Sequence, residues 1–231
     1  MIDKSEVYQK QKRLREIVNL EEYFNEFIAL VYDIHCYLHS NIVYNQEVNG
    51  FGECVWHQLS DRMFYSMPLE KDVTVAWNLW HITRIEDLTM NDLVNSDSEV
   101  LNLEWLKRLG TNIKDTGNAM SDQQIINLSM ELDKEVLKEY RDAVGIRSKE
   151  ILEKLTFADM ERKVSKEDLN KIVNNGGLTQ EKDSIWLANF WGKKTVSGLL
   201  VLPLTRHQLG HLNDCFSLKK KAVNKNPNYL P

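Results

Sequence analysis

Apolar residues recur at spacings of three and four along four long stretches of this chain, and they seldom alternate with polar ones. That period belongs to helices with one buried face, and it leaves little material for strands. Only four prolines and ten glycines interrupt 231 residues, so the expected class is all-α. The stretches lie at about 20–40, 73–94, 121–155 and 194–223. Four long amphipathic helices predict a four-helix bundle, built as a single domain over residues 1–231 with an insertion at 41–71 and a second long structured connection at 156–191. The charged segment before residue 20 either extends the first helix or forms a separate short one.

Local signals place the ends of these helices. Ser121 with Gln124 three residues on matches a capping box, and Asp72 or Thr74 can cap the second helix. Gly145 is a weak point in the third. Pro203 should kink the fourth one turn before His207. The connections carry further helix signals at 54–65, at 104–109 and at Ser165, and a breaker at Asn174–Gly177.

Three histidines fall on the apolar faces. His207 and His211 are four residues apart on the fourth helix, so both rings point the same way one turn apart. His81 lies on the second helix beside Trp77 and Trp80. Burying polar rings without partners costs about 1–3 kcal/mol each. One shared ion relieves several of them together, and three protein ligands leave coordination positions open. A hydrogen-bonded core cluster without metal is the bland alternative. A second pair, His35 and His39, is expected at the surface or rim of the first helix. His57 is expected to be structural or exposed, and Cys215 to be a small buried hydrophobe. Glu86, Asp87 and Asp214 are near enough in sequence to orient an imidazole.

Other chemistries lack their motifs. No Glu-x-x-His occurs, as a di-iron bundle requires. Gln208 stands where a zinc protease motif needs glutamate, so no general base adjoins the pair. Nucleophile elbow, phosphate loop and dinucleotide fingerprint are all absent. A net charge of -5 argues against a nucleic-acid surface, and the run Lys219–Lys221 suits the end of a helix. Cys36, Cys54 and Cys215 are odd in number and show no paired spacing. With a charged N-terminus and no long apolar run, the expectation is a soluble, cytoplasmic protein that partners neither nucleic acid nor membrane.

The segments Trp77-Asn78-Leu79-Trp80-His81-Ile82 and Val196-Ser197-Gly198-Leu199-Leu200, followed by His207-Gln208-Leu209-Gly210-His211-Leu212, resemble the DinB (damage-inducible) superfamily of metal-dependent four-helix bundles. The likeness runs from about residue 20 to 223. It implies that His81, His207 and His211 hold a divalent metal, commonly nickel or zinc. It further implies homodimers and a transferase activity in which a low-molecular-weight thiol attacks a small electrophile. The long segments 41–71 and 156–191 depart from the family pattern and are placed to reshape the mouth of the site. A non-catalytic, stress-associated metal-binding bundle is the alternative function.

Overall fold

The computed structural model describes residues 4–68 and 72–224, so the last residues of the 41–71 segment lie outside it. Among the described residues every regular element is a helix, apart from one isolated bridge between Lys163 and Thr195. In chain order these are α1 (Lys4–Ile17), α2 (Phe24–Leu38), α3 (Asn41–Tyr44), α4 (Phe51–Trp56), α5 (Asp61–Tyr65), α6 (Val75–Asp87), α7 (Leu103–Leu109), α8 (Asp122–Glu131), α9 (Lys134–Leu152), α10 (Phe157–Met160), α11 (Lys166–Asn174), α12 (Lys182–Trp191), α13 (Val196–Val201) and α14 (Gln208–Asn224). Among the described residues no helix is long and apolar enough to cross a membrane.

Helix α6 is the axis of the molecule. All 13 of its residues are buried, and it packs against α9 on one side and α14 on another. A helix covered all round must satisfy every polar group it carries. Thr74 caps it by accepting from the Trp77 N–H, whereas the Asp72 side chain accepts from the Val73 N–H and pairs with Lys221 of α14. Arg84 donates to Asp87, Tyr140 and Glu99, and Asp87 also takes the main-chain N–H groups of Val100 and Leu101. These bonds tie the end of α6 to α9 and to the segment that follows.

Several expectations are corrected here. Of the two alternatives open for the charged N-terminal segment, the separate helix is the one that forms, as α1. The third long stretch is two helices: Asp133 caps α9 by accepting from the Val136 N–H, and its own N–H donates to the Leu109 carbonyl. A capping residue thus ends a stripe that is continuous in the sequence. The capping box at Ser121 and Gln124 forms as expected. Pro203 is accommodated by a π-helical turn over Leu202–His207. A wider turn suits a residue that has no N–H and whose ring collides with the carbonyl four positions back in an α-helix. The segment at 41–68 forms three short helices, and Lys219 of α14 donates to the Val55 and His57 carbonyls at the end of α4.

Gly145 neither breaks nor bends the helical assignment of α9, which runs through it unbroken. Its role is contact: a Cβ there would lie 2.5 Å from His39 Nδ1 and 3.0 Å from Val43 Cγ2. Gly145→Ala is therefore expected to destabilise the fold by about 1–3 kcal/mol through overpacking, despite the roughly 1 kcal/mol that alanine gains over glycine in a helix. A lowered urea midpoint is the check, and an unchanged or raised midpoint would contradict the contact.

Candidate metal centre

The three histidines on apolar faces meet. His207 Nε2 lies 3.3 Å from His81 Nε2 and 3.1 Å from His211 Nε2. His81 comes from the middle of α6, His211 from the first turn of α14, and His207 from the end of the π turn that precedes it. Two of the rings have their outer nitrogen fixed by partners that can only accept. His81 Nδ1 donates to the Thr116 carbonyl at 2.7 Å. His211 Nδ1 donates to Asn78 Oδ1 at 2.7 Å, and Asn78 in turn is oriented by giving its amide N–H to the Thr74 carbonyl. In both rings the inner Nε2 is therefore a bare lone pair. His207 Nδ1 is buried with no partner. Trp77 stacks on His81 with ring centroids 4.6 Å apart.

The chemistry of this donor set fits a cation. A proton on His207 Nε2 lies between the lone pairs of His81 and His211 and offers each less than a full hydrogen bond. Nitrogen ligands about 2.0–2.1 Å from one divalent ion stand roughly 3.0–3.4 Å apart, which brackets both observed separations. Burial keeps the rings unprotonated: it pushes His207 down to about 3, and it also lowers His211 and, with its two histidine neighbours, His81. All three rings are therefore neutral ligands at neutral pH.

The triad opens into a cavity of about 490 Å³. Its far wall comes from α12, with Trp186 and Phe190 facing the π turn residues Leu202 and Pro203, while Arg206 and Asp214 also line it. The long 156–191 segment therefore does shape the mouth of the site. None of the residues lining this cavity belongs to the 41–68 segment.

The second histidine pair is corrected from surface to core. His35 and His39 are 0% and 1% exposed. Their Nε2 atoms donate to the two oxygens of Glu86 at 2.7 and 2.9 Å. Tyr44 bonds the other nitrogen of His35, and Gln208 donates to Glu86 at 2.7 Å while accepting from Arg141. His35, His39 and Glu86 form a second group able to hold a metal ion. Their separations are shorter than ligands around one ion adopt, however, and each facing atom already has a hydrogen-bond partner, so we read this group as a hydrogen-bonded knot.

Glu86 and Asp87 thus serve other partners and do not orient the triad. That task falls to Asn78 and to the main chain at Thr116, which sequence reasoning did not single out. Asn78 carried a signal, because it is a polar residue on the buried face one turn before His81. Cys215 is fully buried, burial raises its thiol pKa, and it stands outside both groups. His57 is exposed. No family model matches the chain, and no curated protein matches it.

Proposed function

We propose that this protein is a divalent-metal-binding four-helix bundle of the DinB superfamily, with His81, His207 and His211 as ligands. The observation that carries this reading is the convergence of three Nε2 atoms, two of them held as lone pairs by hydrogen bonds on the opposite nitrogen. The bundle reading is supported by the mutual packing of α2, α6, α9 and α14, and the family reading by the motifs around the ligands.

The activity that fits best is transfer of a low-molecular-weight thiol to a small electrophile. A divalent ion at the triad supplies Lewis acidity, which lowers the pKa of a thiol in an open coordination position. The chain does the rest of the work. Asn78 and Thr116 hold two imidazoles in the ligating tautomer. Trp77 fixes the plane of His81. Trp186, Phe190, Leu202 and Pro203 give the substrate an apolar wall, which reduces the water near the thiol. Imidazole ligands suit both nickel and zinc.

A specific observation favours the non-catalytic alternative. Among the described residues no free carboxylate touches the triad: Glu86 is fully committed to its own knot, and Asp214 only lines the cavity. Elemental analysis decides the first question. The wild type is expected to carry close to one ion per chain, and His207→Ala to lose it. Equal metal content in both would end the metal reading. Loaded protein is then offered a panel of thiols and electrophiles. Stoichiometric metal without conjugation across several thiols would leave the binding role alone.

A further inference from the structure

A second cavity adjoins the first. It measures about 470 Å³ and lies between α1 and the α13–α14 region. Three cations, Lys12, Arg15 and Arg206, line it with Tyr8 and Gln11, and no carboxylate does. This is unusual in a chain of net charge -5. Other cations of α1 are neutralised: Lys10 pairs with Glu6 and Asp33, and Arg13 with Glu26. Lys12 has only Glu16, at 4.0 Å, a distance at which an exposed pair contributes little. Arg15 and Arg206 make no ion pair or side-chain hydrogen bond with any described residue. Gln11 is 8% exposed, and its amide Nε2, a donor, has no partner.

The two cavities share Arg206 and Gly210. Arg206 directly precedes the ligand His207, so it stands between the triad and the cationic pocket. Gly210 sits one turn on, and a Cβ added there would meet no heavy atom within 4 Å. Gly210 is thus common to both linings and carries no side chain to fill the space beside it.

We propose that Lys12, Arg15 and Arg206 form a binding site for a phosphate-type oxyanion, and that this site opens over Gly210 into the histidine pocket. Three cations lining one cavity without a described carboxylate match a dianion better than a monoanion, and two guanidinium forks can present paired donors to its oxygens. The proposed ligand of the whole groove carries a phosphoryl group at one end and a metal-seeking donor at the other. The anion site stands by itself, while the link between the two ends rests on the metal reading above.

The first experiment uses the full chain freed of metal by chelation, so that the triad cannot hold phosphate through an ion. Inorganic phosphate and acetate are titrated calorimetrically. Phosphate is expected to bind at least tenfold more tightly than acetate, and to weaken as salt is added. The Arg15→Ala/Arg206→Ala variant should lose at least tenfold, and His207→Ala should bind as the wild type does. Absence of phosphate binding, equal binding of acetate, or an unaffected arginine variant would overturn the site.

The second experiment loads cobalt(II) and follows its absorption while ω-mercaptoalkyl phosphates of graded length are compared with the same thiols ending in hydroxyl. A phosphate preference of at least tenfold is expected in the wild type. It should vanish in the Arg15→Ala/Arg206→Ala variant, which leaves all three histidines in place to take up cobalt. A chain that binds phosphate and cobalt but shows no such preference refutes the link. Failure to take up cobalt refutes the metal reading and leaves the anion result standing.

Discussion

Glu86→Ala is expected to be among the most damaging single substitutions in this protein, costing about 3–5 kcal/mol, the range found when one partner of a buried charged network is removed. Glu86 accepts from His35, His39 and Gln208, with all of these atoms out of reach of solvent. It is also the anion that offsets Arg141, whose guanidinium donates to Gln208 and to the Leu38 carbonyl. Without the carboxylate, two imidazole N–H groups and one amide lose their acceptor and a buried cation loses its counter-charge. The knot joins α2, α6, α9 and α14, so all four helices feel the loss. Glu86→Gln keeps the volume and one acceptor, and is expected to recover part of the deficit. Urea unfolding of the three proteins measures the series. A loss below about 1 kcal/mol in the alanine variant would show that the knot contributes no more than an exposed pair does.

Acid is expected to unfold the metal-free protein early. His39 and His207 are pushed by burial to about 3, and His81 and His211 are lowered as well. In the unfolded chain each titrates near 6.5. As pH falls below about 6.5, the unfolded state therefore takes up protons that the fold refuses. By linkage the stability is complete above that value and declines below it. His39 and His207 each contribute about 1.4 kcal/mol per pH unit between about 6.5 and 3, about 3 kcal/mol per unit together, and the lowered His81 and His211 add a loss of the same sign. The histidine N–H groups that bind Glu86 hold its carboxyl well below the usual range despite burial, which adds a loss of the same sign below about pH 4.3. A domain of about 5–15 kcal/mol is then expected to begin unfolding below about pH 5. Circular dichroism at constant ionic strength checks this. Stability that stays level from pH 7 to pH 4 would mean that the histidines are hydrated or already protonated in the fold.

What was legible in the sequence follows from what local spacing can encode. The helices of the second and fourth stretches were visible because burying one side of a helix forces apolar residues into a three-four rhythm. His81, His207 and His211 stood out because each is a polar residue on such a face. The break at Asp133 was not visible: Leu132 continues the stripe of Leu128, and the capping bond that ends it is completed by the Leu109 carbonyl from another segment. His35 and His39 were misplaced for a related reason. Their acceptor, Glu86, is some fifty positions away, and a lone histidine near a helix end looks like a surface residue until its partner is known. Arg141 is a similar case, since a charged residue on a helix is ordinarily solvated. The wall supplied by Trp186 and Phe190 is created when α12 comes to lie against the π turn, and no periodicity encodes that approach.

Helix α6 grips the non-helical run from 114 to 117 in an unusual way. Trp77, Trp80, His81 and Arg84 donate in turn to the carbonyls of Gly117, Asp115, Thr116 and Lys114. Each acceptor is a peptide oxygen, which every amino acid possesses. The steering of a proposed ligand is thus delegated to a ribbon of anonymous peptide units. Of the side chains at 114, 115 and 116, only the exposed Lys114 lacks a part in shaping the ribbon: the Asp115 carboxylate accepts from the Gly117 N–H, and the buried Thr116 hydroxyl donates to Asn118. Position 117 tolerates least: its φ is +78°, and a Cβ would press to 2.6 Å from the Trp77 indole nitrogen. A substitution in this turn can therefore disturb the imidazole without touching it, by moving the peptide oxygen that holds it.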